Sequence, residues 1–260
     1  MTLIMGILNV TPDSFSDGGS YDTVEKAVAR AKEMIAEGAD VIDIGGESTR
    51  PGSEAVSVEE ELTRVLPVVK RLKVEVKVPL SIDTMKPAVA RECLKLGVSY
   101  LNDVTGLRDA EMLKVAAEFN CKVIIMHMQG MPKVMQENPH YEDVVQEIKE
   151  YLLRQAEKAK KAGVKEIILD PGIGFGKSVE DNLRIIKNLK EFTELGYPVL
   201  IGLSRKSFLG KITGLEVNER VEATIAADTI AVLNGAAIIR VHDVKEAKRA
   251  LLVVEAIKQI

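Results

Sequence analysis

Cysteine is scarce. Cys93 and Cys121 are the only two in 260 residues, and neither belongs to a CxxC pair. Two isolated thiols exclude a disulfide framework and a cysteine-built zinc site, and they fit a reducing cytoplasm. Both read as packing residues. There is no basic surplus either: 35 Lys and Arg against 39 Asp and Glu leave a formal charge of −4. A dedicated nucleic-acid binder usually carries the opposite balance, so any anion site must be local. No apolar run approaches the ~18 residues of a membrane span. The apolar start, MTLIMGILNV, has no basic flank and no small-residue cleavage site, and it runs into Thr11-Pro12-Asp13, so it reads as a strand and not a signal peptide. Tryptophan is absent and aromatics make up 4%, but apolar residues at 46% and charged residues at 28% are ordinary for a globular protein and argue against disorder.

What is present alternates. Short, almost continuously apolar, β-branched runs fall at 3–9, 40–44, 78–82, 99–102, 122–126, 166–169, 198–202 and 237–241. Such runs are what strands buried on both faces require. Between them the apolar spacing turns helical, at 22–37, 58–73, 87–96, 109–118, 141–162, 179–190, 218–234 and 243–258. Gly38, Gly97, Gly163 and Gly235 stand just past helix ends, and Pro87 suits a first helical turn. Eight strands alternating with eight helices predict an α/β fold, a (β/α)8 TIM barrel. No linker or composition break divides residues 1–260, which read as a single domain. A doubly wound open sheet is the alternative; it more often comes with fewer strands or a second domain.

Active sites of such barrels lie at the C-terminal strand ends. Here those ends are polar: Asn9, Asp43, Asp83, Asn102, His127, Asp170, Ser204 to Lys206, and Arg240 to Asp243. Turns also favour Asp and Asn, so one such residue means little, whereas the full set points to a site. Asp83, Asn102 and Asp170 suit a flat heterocycle with many N–H donors, and Lys206 adds a donor for a ring carbonyl. Arg50, Arg240 and His242 suit a phosphate or diphosphate. Two long polar connections, 11–20 and 45–57, are the kind that closes over a substrate. Residues 171–178, PGIGFGKS, resemble a phosphate-binding loop, but Pro171 replaces its first glycine. They read instead as a βα loop that brings backbone and Phe175 to the pocket. His127, between Met126 and Met128, has no partner at ligand spacing and reads as a hydrogen-bonded interior histidine. The helical run 218–234 is apolar over much of its length, which suits a dimer interface or a well-covered barrel helix.

These residues carry a resemblance. The segments MGILNVTPDSFSDGG (5–19), ADVIDIGGESTRPG (39–52), SIDT (81–84), NDVTG (102–106), MHMQGMP (126–132), DPGIGFGK (170–177), GLSRKSFLG (202–210) and IIRVHDV (238–244) resemble, in order and from end to end, bacterial dihydropteroate synthase, a pterin-binding family of the folate pathway. The two long N-terminal segments are specific; SIDT alone would be weak.

The resemblance implies a homodimeric, cytoplasmic (β/α)8 transferase that needs Mg2+. It implies condensation of 6-hydroxymethyl-7,8-dihydropterin diphosphate with p-aminobenzoate to give 7,8-dihydropteroate and diphosphate, with sulfonamides as inhibitors and neither nucleic acid nor membrane as partner. On this chain it implies a pterin pocket of Asp83, Asn102, Met126, Asp170 and Lys206. The diphosphate would meet Asn9, Thr49, Arg50, Arg240 and His242, with Asn9 also on the metal. The p-aminobenzoate would lie among Phe15, Thr49, Pro51, Phe175 and Ser204. Asp170, Lys206, Arg240, His242 and Arg50 would carry the catalysis. A pterin-binding, corrinoid-dependent methyltransferase would share the Asp/Asn pterin set but has no use for Asn9, Arg50, Arg240 and His242. A silent paralogue would have no need of two intact long-loop motifs.

Overall fold

The computed structural model describes residues 1–11, 20–48, 55–130, 135 and 139–260. Eight parallel strands form one sheet: β1 Leu3–Asn9, β2 Val41–Gly45, β3 Leu80–Asp83, β4 Tyr100–Asp103, β5 Lys122–Met126, β6 Glu166–Asp170, β7 Leu200–Ile201 and β8 Ile238–Val241. Their order is β6-β5-β4-β3-β2-β1-β8-β7. A parallel bridge between Leu169 and Val199, with the Leu169 amide donating to the Pro198 carbonyl at 2.9 Å, joins β6 to the approach of β7 and closes the barrel.

The helices are α1 Ser20–Glu37, α2 Val58–Glu75, α3 Pro87–Lys95, α4 Ala110–Phe119, α5 Val144–Ala162, α6 Val179–Lys187, α7 Leu189–Thr193, α8 Ser207–Thr213, α9 Val221–Leu233 and α10 Val244–Lys258. All eight expected strands and all eight helical segments are present. The differences are local. The segment expected at 179–190 breaks at Asn188 into α6 and α7, and α8 is an additional short helix after β7. Only two residues of the expected strand 198–202 form ladder pairs. Helix ends follow side-chain chemistry. Ser57 accepts from the Glu60 amide, and Ser178 and Asp181 form a reciprocal capping box, each cap stabilising its helix by about 1 kcal/mol. Gly163 ends α5 at φ 106°, a conformation that costs glycine nothing and a side chain much.

Strand periodicity then places the site. Met5, Val41, Tyr100, Ile124, Ile168, Leu200 and Ile238 pack as a cluster of their own, apart from the larger one between sheet and helices. They come from seven strands and fill the barrel interior. Side chains two residues further on point the same way. From those positions the sequence reads Ile7, Asp43, Asn102, Met126, Asp170, Gly202 and Arg240, and register pairs Ser81 with Asp43. One step higher come Asn9, Gly45, Asp83, Ser204 and His242. The interior is apolar below and polar above because each strand changes character along one face.

Candidate active site

One buried ion network organises the mouth. Asp43 is fully buried. Its Oδ2 accepts from Arg240 Nε at 2.6 Å and from Asn102 Nδ2 at 3.0 Å. Arg240 Nη2 donates to Asp83 Oδ2 at 2.7 Å. Thus β2, β3 and β8 are joined through one guanidinium, whose Nη1 is committed to neither carboxylate, and β4 joins them through Asp43. Asp43 Oδ1 and Asp83 Oδ1 are buried and have no protein partner among the described residues, so they are acceptors aimed at something else. Burial raises the Asp83 carboxyl to about 7, against the pull of Arg240 and with a further push from Asp43. Arg240 is itself held above its ordinary value: burial opposes its charge, and the two carboxylates outweigh burial.

Asp170 and Lys206 form the opposite wall. Asp170 is buried, and its Oδ1 accepts from the Gly172 amide at 2.7 Å. Burial raises its carboxyl, while Lys206, the Gly172 N–H, Lys177 and Arg240 hold it back. Lys206 donates to the Ile173 carbonyl and sits 4.6 Å from the Phe175 ring centroid. Burial lowers it to about 8 in spite of Asp170. Met126 packs with Val104, Met128 and Met135, and Phe175 lies against that cluster. The apolar side of the pocket is therefore built mainly of methionine.

Arg240 and His242 lie at the exit of β8, and Asn9 at the exit of β1. Ser204 Oγ lies 3.0 Å from His242 Nδ1 and accepts from the His242 amide at 3.1 Å, which ties the exit of β7 to that of β8. Asn9 and Asp83 flank Gly45: Asn9 Oδ1 and Asp83 Oδ2 each lie 3.8 Å from where a side chain at Gly45 would begin. Described residues around the second long connection are tied together by a half-buried lysine and two buried acids. Lys86 pairs with Glu47 at 2.5 Å and with the fully buried Glu61 at 2.6 Å. The other Glu47 oxygen accepts from the Val56 amide at 3.1 Å.

The mouth therefore brings together Asn9, Asp83, Asn102, Met126, Asp170, Phe175, Ser204, Lys206, Arg240 and His242. Phe15, Thr49, Arg50 and Pro51 lie outside the described residues. His127 is buried and bonded to Lys177 at 3.1 Å, as an interior histidine should be. Two residues of the site had no role assigned from sequence. Asp43 was visible as a strand-end acid, and its period-two spacing from Val41 is the signal that it faces inward. Lys177 was visible only as part of a phosphate-loop look-alike. Chemically, the arrangement offers acceptors and one ammonium to a flat polar heterocycle, and cations to an anionic group on the same molecule.

Known proteins match the chain in sequence and in fold. The sequence profile described as "Pterin binding enzyme" matches residues 5–242. The Dihydropteroate synthase of Escherichia coli K12 is 48% identical over 255 residues, spanning 97% of this chain and 90% of the relative. The Yersinia pestis dihydropteroate synthase, solved with a sulfonamide drug complex, superposes with a TM-score of 0.95 at 44% identity over 100% of this chain and 95% of its own. The Xanthomonas albilineans enzyme has been solved with 4-aminobenzoic acid (TM-score 0.94, 46% identity) and with 7,8-dihydropteroate (0.90, 44%), each covering 100% of this chain and 94% of that one. Profile, sequence and structure agree over nearly the whole length: the chain belongs to the pterin binding enzyme family, in its dihydropteroate synthase branch.

Proposed function

We infer that the protein catalyses the dihydropteroate synthase reaction of folate biosynthesis: 6-hydroxymethyl-7,8-dihydropterin diphosphate and p-aminobenzoate give 7,8-dihydropteroate and diphosphate. The observation that carries the reading is the Arg240–Asp83 pair at 2.7 Å. It supports the reading because a cation suited to a diphosphate stands directly beside acceptors suited to a pterin. The related Xanthomonas albilineans enzyme binds both 4-aminobenzoic acid and 7,8-dihydropteroate.

In this reading Asp83, Asn102 and Asp170 accept from the pterin N–H groups, Lys206 donates to its carbonyl, and Met126 covers its face. Arg240, His242, Asn9 and the Thr49–Arg50 pair receive the diphosphate. Phe15, Thr49, Pro51, Phe175 and Ser204 surround the p-aminobenzoate. Departure of diphosphate leaves an exocyclic methylene cation on an electron-rich ring. A carboxylate at Asp170, in a site that excludes water, stabilises that charge. The arylamine is unprotonated at neutral pH, so it needs placement more than a base. Complete dependence of carbon–oxygen cleavage on p-aminobenzoate, with no isotope exchange in its absence, would count against the cation route. Sulfonamides, which mimic p-aminobenzoate, are the expected competitive inhibitors.

Magnesium belongs to the same reading. No group of three His, Cys, Asp or Glu among the described residues forms a ready-made cage. Asn9 supplies a single amide oxygen at the anion end, which fits a hard cation that takes few protein oxygens and completes its shell with phosphate and water. When bound, Mg2+ supplies charge neutralisation of the leaving diphosphate. A homodimer is supported by apolar side chains exposed on two neighbouring helices, Ile230 and Leu233 on α9 and Leu252, Val253 and Ile257 on α10. A cytoplasmic setting is supported by Cys93 and Cys121, which are free and buried; no helix among the described residues is long and apolar enough to cross a membrane. Residues 1–260 act as one barrel domain.

The test is turnover of dihydropterin diphosphate with and without p-aminobenzoate, in Mg2+ and in EDTA. The reading requires dihydropteroate and diphosphate in equal amounts, with product lost in EDTA. Tight pterin binding without product would instead indicate a silent pterin-binding protein or a methyltransferase.

A further inference from the structure

The β6–α6 loop, residues 171–178, is wound around one ammonium group. Lys177 is 3% exposed. Its Nζ donates to the Gly172 carbonyl at 2.8 Å and the Phe175 carbonyl at 2.9 Å, both within the loop. It also reaches across to the exit of β5, where the His127 carbonyl lies at 3.3 Å and His127 Nδ1 at 3.1 Å. All four partners are uncharged. His127 is neutral because burial, with Lys177 and Arg108 nearby, lowers its pKa to about 2, and Nδ1, which faces a group that as an ammonium only donates, is the acceptor. The imidazole is held edge-on against Tyr151, with ring centroids 4.9 Å apart. From the other side, Tyr141 donates its hydroxyl to the Gly176 carbonyl at 2.8 Å.

The loop has no slack. At Gly172, φ is 70° and a Cβ would stand 1.9 Å from the His127 carbonyl oxygen; at Gly176 it would stand 2.4 Å from that of Gln129. Backbone is pressed on backbone, and the ammonium binds the two together. The same loop carries three contacts into the site. The Gly172 amide fixes Asp170 Oδ1, the Ile173 carbonyl receives Lys206, and the Phe175 ring lies against the Lys206 ammonium.

We propose that Lys177 is a positioning residue for the reaction: its ammonium acts as a fixed internal cation around which the β6–α6 loop is set, and through Gly172, Ile173 and Phe175 it determines where Asp170 and Lys206 stand in the pterin pocket. The proposal rests on the reading that Asp170 and Lys206 hold the pterin, and it extends that reading to a residue that acts only through them. It also explains the cost of the arrangement. Burial drives the Lys177 amine well below its ordinary value and so works against its charge; the ammonium is favoured by geometry, because the carbonyls of His127, Gly172 and Phe175 are three acceptors and only an ammonium carries three N–H donors.

The test uses Lys177→Met, Lys177→Gln and Asp170→Asn beside the wild type. For each, kcat and KM for dihydropterin diphosphate are measured across pH, together with the thermal midpoint. The expected result for Lys177→Met is a loss in kcat/KM of about 100-fold, the scale of a catalytic group displaced by about an ångström. The acid limb of its profile should move to higher pH, because Asp170 faces Lys206, Lys177 and Arg240 and would lose one of these cations along with a firmly held Gly172 N–H. Lys177→Gln keeps two N–H donors without the charge and should show the same displaced acid limb. It decides the matter if the Met variant does not fold. Lys177→Ala with added propylammonium should recover activity, whereas tetramethylammonium at equal ionic strength should not. A lysine that only props up the fold would lower the midpoint while KM and the acid limb stayed in place, and that result overturns the proposal. If Asp170→Asn itself turned over normally, the pocket reading would have failed; if Asp170→Asn lost its rate and the Lys177 variants did not, the proposal alone would have failed.

Discussion

Arg240→Met isolates the energetic role of the ion network from its role in binding. Methionine keeps much of the arginine stem and removes the guanidinium. Asp43 and Asp83, paired with it at 2.6 and 2.7 Å, are then left buried without a cation. Removing one partner of a buried pair costs about 3–5 kcal/mol, and here one cation serves two acids, so the upper end applies. In a chain of this size about 1 kcal/mol moves the melting midpoint by about 2–4 °C, so the drop should be roughly 10–20 °C at alkaline pH. Protonation relieves the strain, because each unit of pKa displacement is worth about 1.4 kcal/mol. The Asp83 carboxyl already stands raised at about 7. An acid whose folded pKa is raised contributes fully below its unfolded pKa, near 4, and loses that contribution as pH rises through the folded pKa. The deficit of the variant should therefore be small near about pH 5 and large near about pH 8. Thermal midpoints by circular dichroism at both pH values measure it, and adding Asp43→Asn should return part of the loss. A deficit under about 1 kcal/mol, or one equal at both pH values, would show that Arg240 does not hold the two buried acids in this way.

Three further outcomes follow from the same geometry. Lys206, lowered to about 8 by burial, should set the alkaline limb of kcat/KM for the pterin substrate, and Lys206→Arg should move that limb upward while weakening turnover. Asp170→Asn should keep the melting midpoint within a few degrees and lose roughly a hundredfold or more in kcat; near-normal turnover would remove Asp170 from its role. Asp228 on α9 is 4% exposed, neither of its carboxylate oxygens has a protein partner among the described residues, and burial raises its pKa well above the ordinary range. Its neutral form is tolerated at low pH, and the native state is penalised as pH rises above about 4. Asp228→Asn should therefore raise the midpoint more at about pH 8 than at about pH 5, and an equal shift at both would contradict this.

Strand periodicity made most of the site legible. A residue two positions beyond an apolar interior residue faces inward, so Asn102 and Asp170 follow from Tyr100 and Ile168. The neighbour of each such residue faces outward and serves the fold. Asp103 caps the turn at Thr105 and Leu107, with bonds of 2.9 Å to both amides, and Arg205 pairs with Asp243 at 2.5 Å. What the sequence hid were contacts made by closure of the barrel. Asp43 and Arg240 lie 197 residues apart, and no local pattern announces their pairing. Arg240 reads from sequence as a diphosphate ligand alone, yet two of its nitrogens are bound to acids. Lys177 looked like a phosphate-loop lysine because loops built to cradle an anion and loops wound about an internal cation both need glycine. Helix α8, seven residues long, is too short for helical periodicity to show.

In the proposed function one mouth holds the pterin on Asp83, Asn102, Asp170 and Lys206 and the departing diphosphate on Arg240 and His242. A crystal structure of this protein with 7,8-dihydropteroate and diphosphate tests it most directly. Hydrogen bonds from all four pterin residues to the ring are expected, with Arg240 Nη1 and His242 on the diphosphate. A ring bound elsewhere on the protein, or seated in the mouth without bonds to Asp170 and Lys206, would contradict it.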